Sequence, residues 1–186
     1  YLSNDGLDFV VNQLKVYQEK INNFIATDIL KDKDDSYDLM YISENGKNIS
    51  GNILSIKYLK NFSTKFYYAL KNLNKLVDGE KGSRTAFVYC NLVKTGIELF
   101  EEVLKQNGYL EYQEDYTNYN IVNDTRCYYC GKNYKDHKGH EFHPATYLTV
   151  TGQSADEAMD SLPEEKDRIL KDVFNNLDNN EGKLIK

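Results

Sequence analysis

Thr85-Ala86-Phe87-Val88-Tyr89-Cys90 is the stretch on which the fold turns. It lies between Lys81-Gly82-Ser83 and Asn91, and a continuous apolar run of this length reads as a strand buried on both faces. A helix follows at once. Thr95 with Glu98 three residues on has the form of a capping box, and Ile97, Phe100, Val103 and Leu104 supply a buried stripe until Asn107-Gly108 ends it. A second strand is expected at Ala145-Thr146-Tyr147-Leu148-Thr149-Val150, ending at Thr151-Gly152-Gln153. Ser161, Pro163 and Glu164 then open a helix whose stripe is Ile169, Leu170, Val173, Phe174 and Leu177. Asn179-Asn180-Glu181-Gly182 turns the chain into Lys183-Leu184-Ile185-Lys186, which begins as a third strand. Upstream of the first strand, a Ser63 cap, Phe66, Leu70, Leu73 and Val77 on one face, and Gly79 behind define a further helix.

Strand, helix, strand, helix, strand is the order of parallel α/β units joined by right-handed crossovers. A domain should not stop at the first residues of a buried strand, and the first residue is Tyr1 rather than Met, so the natural polypeptide is expected to extend in both directions. In residues 1–50, Leu7, Val10, Leu14, Tyr17, Ile21 and Phe24 recur in steps of three and four, the pattern of an amphipathic helix. That stripe fits packing on its own domain or, less well at this length, a dimer seam. The mixed charges of 31–38 and Glu44-Asn45-Gly46-Lys47 read as a solvated connector ending in a turn, placing a boundary near residue 50. The expected organisation is an N-terminal helix and connector over 1–50 and an α/β domain over 51–186 carrying an insertion at about 110–144.

The formal net charge is −6 and the isoelectric point about 5.1, so the chain as a whole does not bind nucleic acid by neutralising many phosphates. No apolar run reaches membrane-spanning length, and the first apolar stretch is broken by Asn12, Gln13 and Lys15, so neither a membrane partner nor a signal peptide is expected. The chain reads as soluble and intracellular. Three cysteines make a poor disulfide framework.

The insertion holds the clearest chemistry. Cys127-x-x-Cys130 followed by His137, His140 and His143 gathers the thiolate and imidazole ligands that Zn²⁺ prefers, and Gly131 supplies the permissive backbone a metal knuckle needs. The favoured ligands are Cys127, Cys130, His137 and His140, with His143 as the alternative fourth, because His143 directly precedes Pro144 and leads toward the strand. Four protein ligands close a site and make it structural. Ordinary surface histidines beside reduced thiols, or a redox C-x-x-C, are the competing readings; the motif does not open a helix after a strand as thioredoxin-like chemistry requires. Glu141 is the one carboxylate placed near enough to act as a base for a zinc-bound water. Cys90 reads as a buried thiol. No Gly-x-x-x-x-Gly-Lys-Ser/Thr sequence is present, so phosphates cannot be cradled here in the usual way, and no catalytic residue is assigned.

The strand at Thr85–Cys90, the helix after it, and Thr151-Gly152-Gln153 with Arg168 resemble the second RecA-like domain of superfamily 2 helicases. Gly51-Asn52-Ile53-Leu54 leading to Leu59-Lys60-Asn61-Phe62-Ser63-Thr64-Lys65-Phe66 resembles the lead-in helix of that domain in helicase-like proteins of nucleocytoplasmic large DNA viruses, including poxvirus-like early transcription factor and nucleoside triphosphatase relatives. Phe87-Val88-Tyr89-Cys90-Asn91 is similar to their motif IV. The resemblance covers about 50–110 and 144–186 and implies a partial RecA-like parallel sheet with flanking helices, in a translocating ATPase acting on DNA or RNA in viral transcription or replication. It implies ATP and Mg²⁺ held against a first RecA-like domain of the same polypeptide, and a location in the virion or host cytoplasm. Asn91 to Thr95 and Thr151 to Ser154, with Arg168, would face the nucleic-acid backbone, where hydroxyls, amides and a guanidinium position phosphates without reading sequence. The Walker motifs and motifs V and VI have no counterpart in these residues, so ATP hydrolysis is not expected from the chain alone. An alternative is a zinc-knuckle module gripping nucleic acid or a protein partner, with Tyr109, Tyr112, Tyr116, Tyr119, Tyr128, Tyr129 and Tyr134 stacking bases or serving as the insertion's core. A further one is an α/β protein unrelated to helicases.

Overall fold

The computed structural model describes residues 18, 20–30, 39–43, 48–80, 82, 84–151 and 164–186. The chain forms two compact units, Tyr1–Tyr68 and Ala69–Lys186.

In the first unit residues 20–24 are helical and run into a wider π-type turn at Ile25–Leu30. Ile25 and Ala26 are buried, whereas Phe24 is 58% exposed. The π-turn sets Ile25 and Ala26 inward and leaves Phe24 off the buried stripe. Leu7, Val10, Leu14 and Tyr17, the run 31–38 and the expected turn at 44–47 lie outside the described residues. β1 (Tyr41–Ile42) and β2 (Ile49–Ser50) pair antiparallel, Tyr41 opposite Ser50 and Ile42 opposite Ile49. Asn22, buried, acts as a substitute backbone: its Oδ1 accepts the Met40 N–H at 3.0 Å and its Nδ2 donates to the Met40 carbonyl at 3.2 Å. Ile53, Leu54, Tyr58 and Leu59 complete this core through a short 3₁₀ turn and α1 (Leu59–Phe62). The lead-in to α2 (Thr64–Val77) is capped as expected, the Ser63 Oγ accepting the Phe66 N–H at 3.2 Å.

In the second unit Leu70, Leu73 and Val77 form the buried stripe of α2, and Gly79 at φ 76° stops it. Thr85–Cys90 is not a strand. It has no regular secondary structure and no ladder partners, with Phe87 89% and Tyr89 77% exposed. An apolar run is buried on both faces only when strands flank it and layers cover it, and the described residues hold no such neighbour for this one. Cys90 is half-buried rather than buried, its Sγ lying against Gly96, where a Cβ would come within 2.4 Å. The Thr95 capping box does not form either: Thr95 sits inside a π-type turn, Val93–Glu98, whose N-cap is Leu92. That turn feeds α3 (Leu99–Gln106), with Phe100, Val103 and Leu104 buried and Asn107 at the C-cap as expected.

β3 (Leu110–Glu111) and β4 (Thr146–Tyr147) pair parallel, Leu110 opposite Thr146 and Glu111 opposite Tyr147. The architecture is therefore mixed α/β with one small parallel pair, and the described residues hold no larger parallel sheet. β3 follows α3 directly, at residues read from sequence as the start of the insertion, and β4 is shorter than the expected 145–150. The residues between β3 and β4 take the place of a crossover helix. At the far end the Lys186 N–H donates to the Thr146 carbonyl at 2.9 Å, so the last residues approach β4 as a third strand would. Buried Asn179 holds them there, its Oδ1 accepting the N–H groups of Leu184 and Ile185 and its Nδ2 donating to the carbonyls of Phe174 and Ile185. The helix before it, α4 (Glu164–Ile169), passes into a π-type turn at Leu170–Phe174; Ile169 is buried, but Leu177 is 94% exposed, past the end of that turn.

Candidate metal centre

The insertion starts from a rigid root. Tyr109, fully buried, donates its hydroxyl to Asn74 of α2 at 2.8 Å, and burial pushes its phenol far above the ordinary range. Arg126 stands 5.9 Å from the Tyr109 ring and forms an ion pair with Asp78, just past the end of α2, at 2.8 Å. From Arg126 the chain enters a miniature sheet. Arg126 and Cys127 face Asn133 and Pro144 in antiparallel bridges. The Cys127 N–H donates to the Lys132 carbonyl at 2.9 Å, and the Tyr128 N–H donates to the His143 carbonyl at 2.9 Å. These bonds fold 127–132 into a knuckle closed by the Gly131 N–H on the Cys127 carbonyl at 3.2 Å. Gly131 has φ 66°, and a Cβ there would meet the Asp78 Oδ1 at 1.7 Å. Glycine is thus required twice, by backbone and by space.

One ligand atom each from Cys127, Cys130, His137 and His140 lies within 4.8 Å of every other. The Cys127 Sγ is 4.0 Å from the His140 Nε2, and the two Nε2 atoms of His137 and His140 are 3.1 Å apart. For tetrahedral Zn²⁺, sulfur at about 2.3 Å and nitrogen at about 2.0 Å put S···N edges at about 3.5 Å and N···N edges at about 3.3 Å. The histidine pair is close to its edge, and Cys127 and His140 reach theirs by closing about half an ångström. The His140 Nδ1 lies 2.8 Å from the Glu141 carbonyl, which fixes the ring with Nδ1 as donor and Nε2 as the lone-pair nitrogen facing the cluster. Burial pushes the Cys127 thiol up. Burial pushes Cys130 the same way, but hydrogen bonds from the Lys132 backbone, His140 and Cys127 outweigh it and hold that thiol below its usual range. The hydrogen bond with Cys130 and the Glu141 carbonyl raise His140, while burial and the nearby His140 and Lys132 lower His137. A proton shared among facing sulfur and nitrogen atoms is what a divalent cation displaces when such ligands bind it.

His143, the alternative fourth ligand, is outside the cluster. Its Nε2 stands 3.6 Å from a Glu141 carboxylate oxygen, and its ring packs edge-on against Tyr116 and Tyr128. The one acid considered as a base for a zinc-bound water is thus turned to His143. Around the cluster, aromatic rings meet edge to face in an unbroken series that passes through both clustered histidines, from Tyr129 through His140 and His137 to Phe142 and Tyr134. Arg84 ties this module to the end of α2, donating to the Val77 carbonyl at 3.3 Å and to the Tyr129 carbonyl, with its guanidinium 4.2 Å from the Tyr129 ring.

The residues expected to face nucleic acid are not brought together in this way. Asn91 and Thr95 are exposed, and Thr151 is half-buried. Gly152, Gln153 and Ser154 lie outside the described residues. Arg168 is exposed on α4 and paired with Glu114. Asp78, Arg84 and Asn74, which hold the knuckle from a distance of 35 residues or more, carry no local sequence signal.

The chain has a viral relative. A protein of Acanthamoeba polyphaga mimivirus named "putative ATP-dependent RNA helicase" is 48% identical over 195 aligned residues, which take in all of this chain and 17% of that protein. The chain thus spans about a sixth of the length of the relative it matches. No protein-family profile and no solved structure matches it. No helix among the described residues is long and apolar enough to cross a membrane.

Proposed function

We propose that this chain is a zinc-clamped segment of a viral ATP-dependent RNA helicase, contributing part of its second RecA-like domain in transcription or replication. The observation that carries the motor reading is identity of 48% across the whole chain to a protein bearing that name. Cys127, Cys130, His137 and His140 hold a structural Zn²⁺: their donor atoms converge within 4.8 Å, and four protein ligands leave no open position for a reacting water. The metal replaces a hydrophobic core in an insertion too polar to build one. ATP and Mg²⁺ bind elsewhere in the longer polypeptide, against a first RecA-like domain, since no phosphate-cradling sequence lies in these residues. Asn91, Thr95, Thr151, Gly152 and Gln153 approach the nucleic-acid backbone, and Arg168 does so by exchanging the Glu114 carboxylate for a phosphate. The site of action is the virion or the host cytoplasm.

The test is ATP hydrolysis by the longer polypeptide that contains this segment. Hydrolysis stimulated by single-stranded RNA, and none from the 186-residue chain alone, is the expected result. A longer polypeptide that binds zinc but hydrolyses no ATP with RNA or DNA would leave a zinc-knuckle binding module in place of a motor.

A further inference from the structure

Arg84 stands at the entry to Thr85–Cys90 with φ at 62°, in the left-handed region. That conformation is costly for any residue with a Cβ, so it persists only where the surroundings hold it. For Arg84 the holding contacts can be named. Its guanidinium donates to the Val77 carbonyl at the end of α2 and to the Tyr129 carbonyl in the knuckle, and lies 4.2 Å from the Tyr129 ring. It also fills the space over Gly79, where a Cβ would come within 2.2 Å of the Arg84 Nη2. Beside it a cavity of about 450 Å³ is bordered by Gly82, Arg84 and Thr85 and by residues 174–177 and 179–181, which gives this stretch of backbone room to change conformation.

Part of this grip belongs to the metal cluster. Tyr129 lies between Cys127 and Cys130, and its ring meets the His140 ring edge to face at 5.2 Å. Three of the four clustered residues therefore fix the carbonyl and the ring that Arg84 holds. Because ion binding and folding of such a loop are one process, the position of Tyr129 follows metal occupancy. Thr85–Cys90 has no ladder partners, so its course is set at its ends, by Arg84 at one and by Cys90 against Gly96 at the other.

We propose that Arg84 is a latch through which metal occupancy of the Cys127, Cys130, His137 and His140 cluster sets the course of Thr85–Cys90 and of the turn at Asn91 that follows. With the cluster loaded, the guanidinium is clasped between α2 and the knuckle, and the residue stays left-handed. With it empty, the Tyr129 contacts are lost, Arg84 relaxes to negative φ, and the segment changes direction. The inference rests on the metal reading of the cluster and needs no motor activity.

Trypsin must draw an arginine side chain into its own pocket, so the experiment is limited tryptic digestion of the full chain, zinc-loaded and chelated, with zinc content measured on each sample. Chelation is expected to speed cleavage after Arg84 about tenfold or more, through loss of a charge-assisted hydrogen bond and a cation–π contact. Cleavage after Lys71, within α2, should stay slow. Arg84→Gly gives a second readout, since glycine adopts φ 62° freely and the substitution removes only the side chain. The amide resonances of Thr85 and Ala86 should move on zinc loading of the unmutated chain and no longer move in Arg84→Gly, which should still hold one zinc. A zinc-loaded chain cut after Arg84 as fast as the chelated one overturns the latch. So do zinc-dependent shifts at Thr85 that persist in Arg84→Gly, and so does equal acceleration after Lys71, which would mean general unfolding. A chain that takes up no zinc fails differently, overturning the metal reading and the latch with it.

Discussion

Gly131→Ala measures how the knuckle is held. At φ 66° an alanine is strained by about 1 kcal/mol. Its Cβ would also fall 1.7 Å from the Asp78 Oδ1, so the carboxylate must leave Arg126. Arg126 has a side chain only 15% exposed, and losing a partly buried pair and leaving that guanidinium short of a partner costs about 2 kcal/mol more. Because metal binding and folding of such a module are linked, the sum of about 3 kcal/mol should appear as zinc affinity weakened about 150-fold. Competition against a chromogenic chelator reads this directly. Gly139→Ala is the control: φ is 100°, but nothing lies within 4 Å of its Cβ, so only the strain applies and the loss should be about fivefold. In an Asp78→Ala background the carboxylate overlap is gone, and the Arg126 Nη2, 2.9 Å from the added Cβ, is the end of a flexible side chain no longer held by Asp78, so Gly131→Ala should fall to about the same fivefold. Equal losses for Gly131→Ala and Gly139→Ala in both backgrounds would refute the claim that Asp78 and Arg126 seat the knuckle.

Other outcomes follow from the same contacts. Tyr109→Phe deletes the buried hydrogen bond to Asn74 and should lower stability by about 1–2 kcal/mol in urea denaturation; an unchanged midpoint would mean that the insertion root is not anchored on α2. Asn179→Ala removes three hydrogen bonds that hold Leu184 and Ile185 and a fourth to the Phe174 carbonyl, and should speed amide exchange at Leu184 and Ile185 while leaving Cys127 unaffected. Asp115 caps the turn Tyr116–Asn118, its Oδ1 accepting from the Thr117 hydroxyl at 2.7 Å and N–H at 2.9 Å, and these bonds hold its carboxyl below the ordinary value. A depressed acid favours the folded turn above its unfolded pKa and loses that contribution as pH falls through the folded one. The Thr117 amide shift should therefore titrate with a midpoint below that of an aspartate in an unstructured peptide; a midpoint equal to or above that of the peptide contradicts the cap.

What could be read in advance divides along physical lines. The α2 and α3 stripes and the Ser63 cap were legible because they depend on residues three or four apart. The Cys/His cluster was legible because knuckle and histidines lie close in sequence, and the structure brings Cys127, Cys130, His137 and His140 together. Thr85–Cys90 failed because burial of a strand depends on distant neighbours, and composition cannot supply them. Thr95 failed for a local reason: the chain turns at Leu92 into a π-type turn, so Thr95 and Glu98 sit past the cap. Exclusion of His143 was hidden because its partners, Glu141 and the tyrosines, are set by tertiary packing. Arg84 and Asp78 were missed for the same reason, reaching the knuckle from 45 or more residues away.

Metal content by elemental analysis, on protein purified without added metal, tests the central claim most directly. One zinc per chain is expected in the unmutated protein and in His143→Ala, and loss of it in Cys127→Ser and His140→Ala. Less than about a tenth of an equivalent in the unmutated chain with its thiols reduced, or retention of zinc in Cys127→Ser, would contradict it.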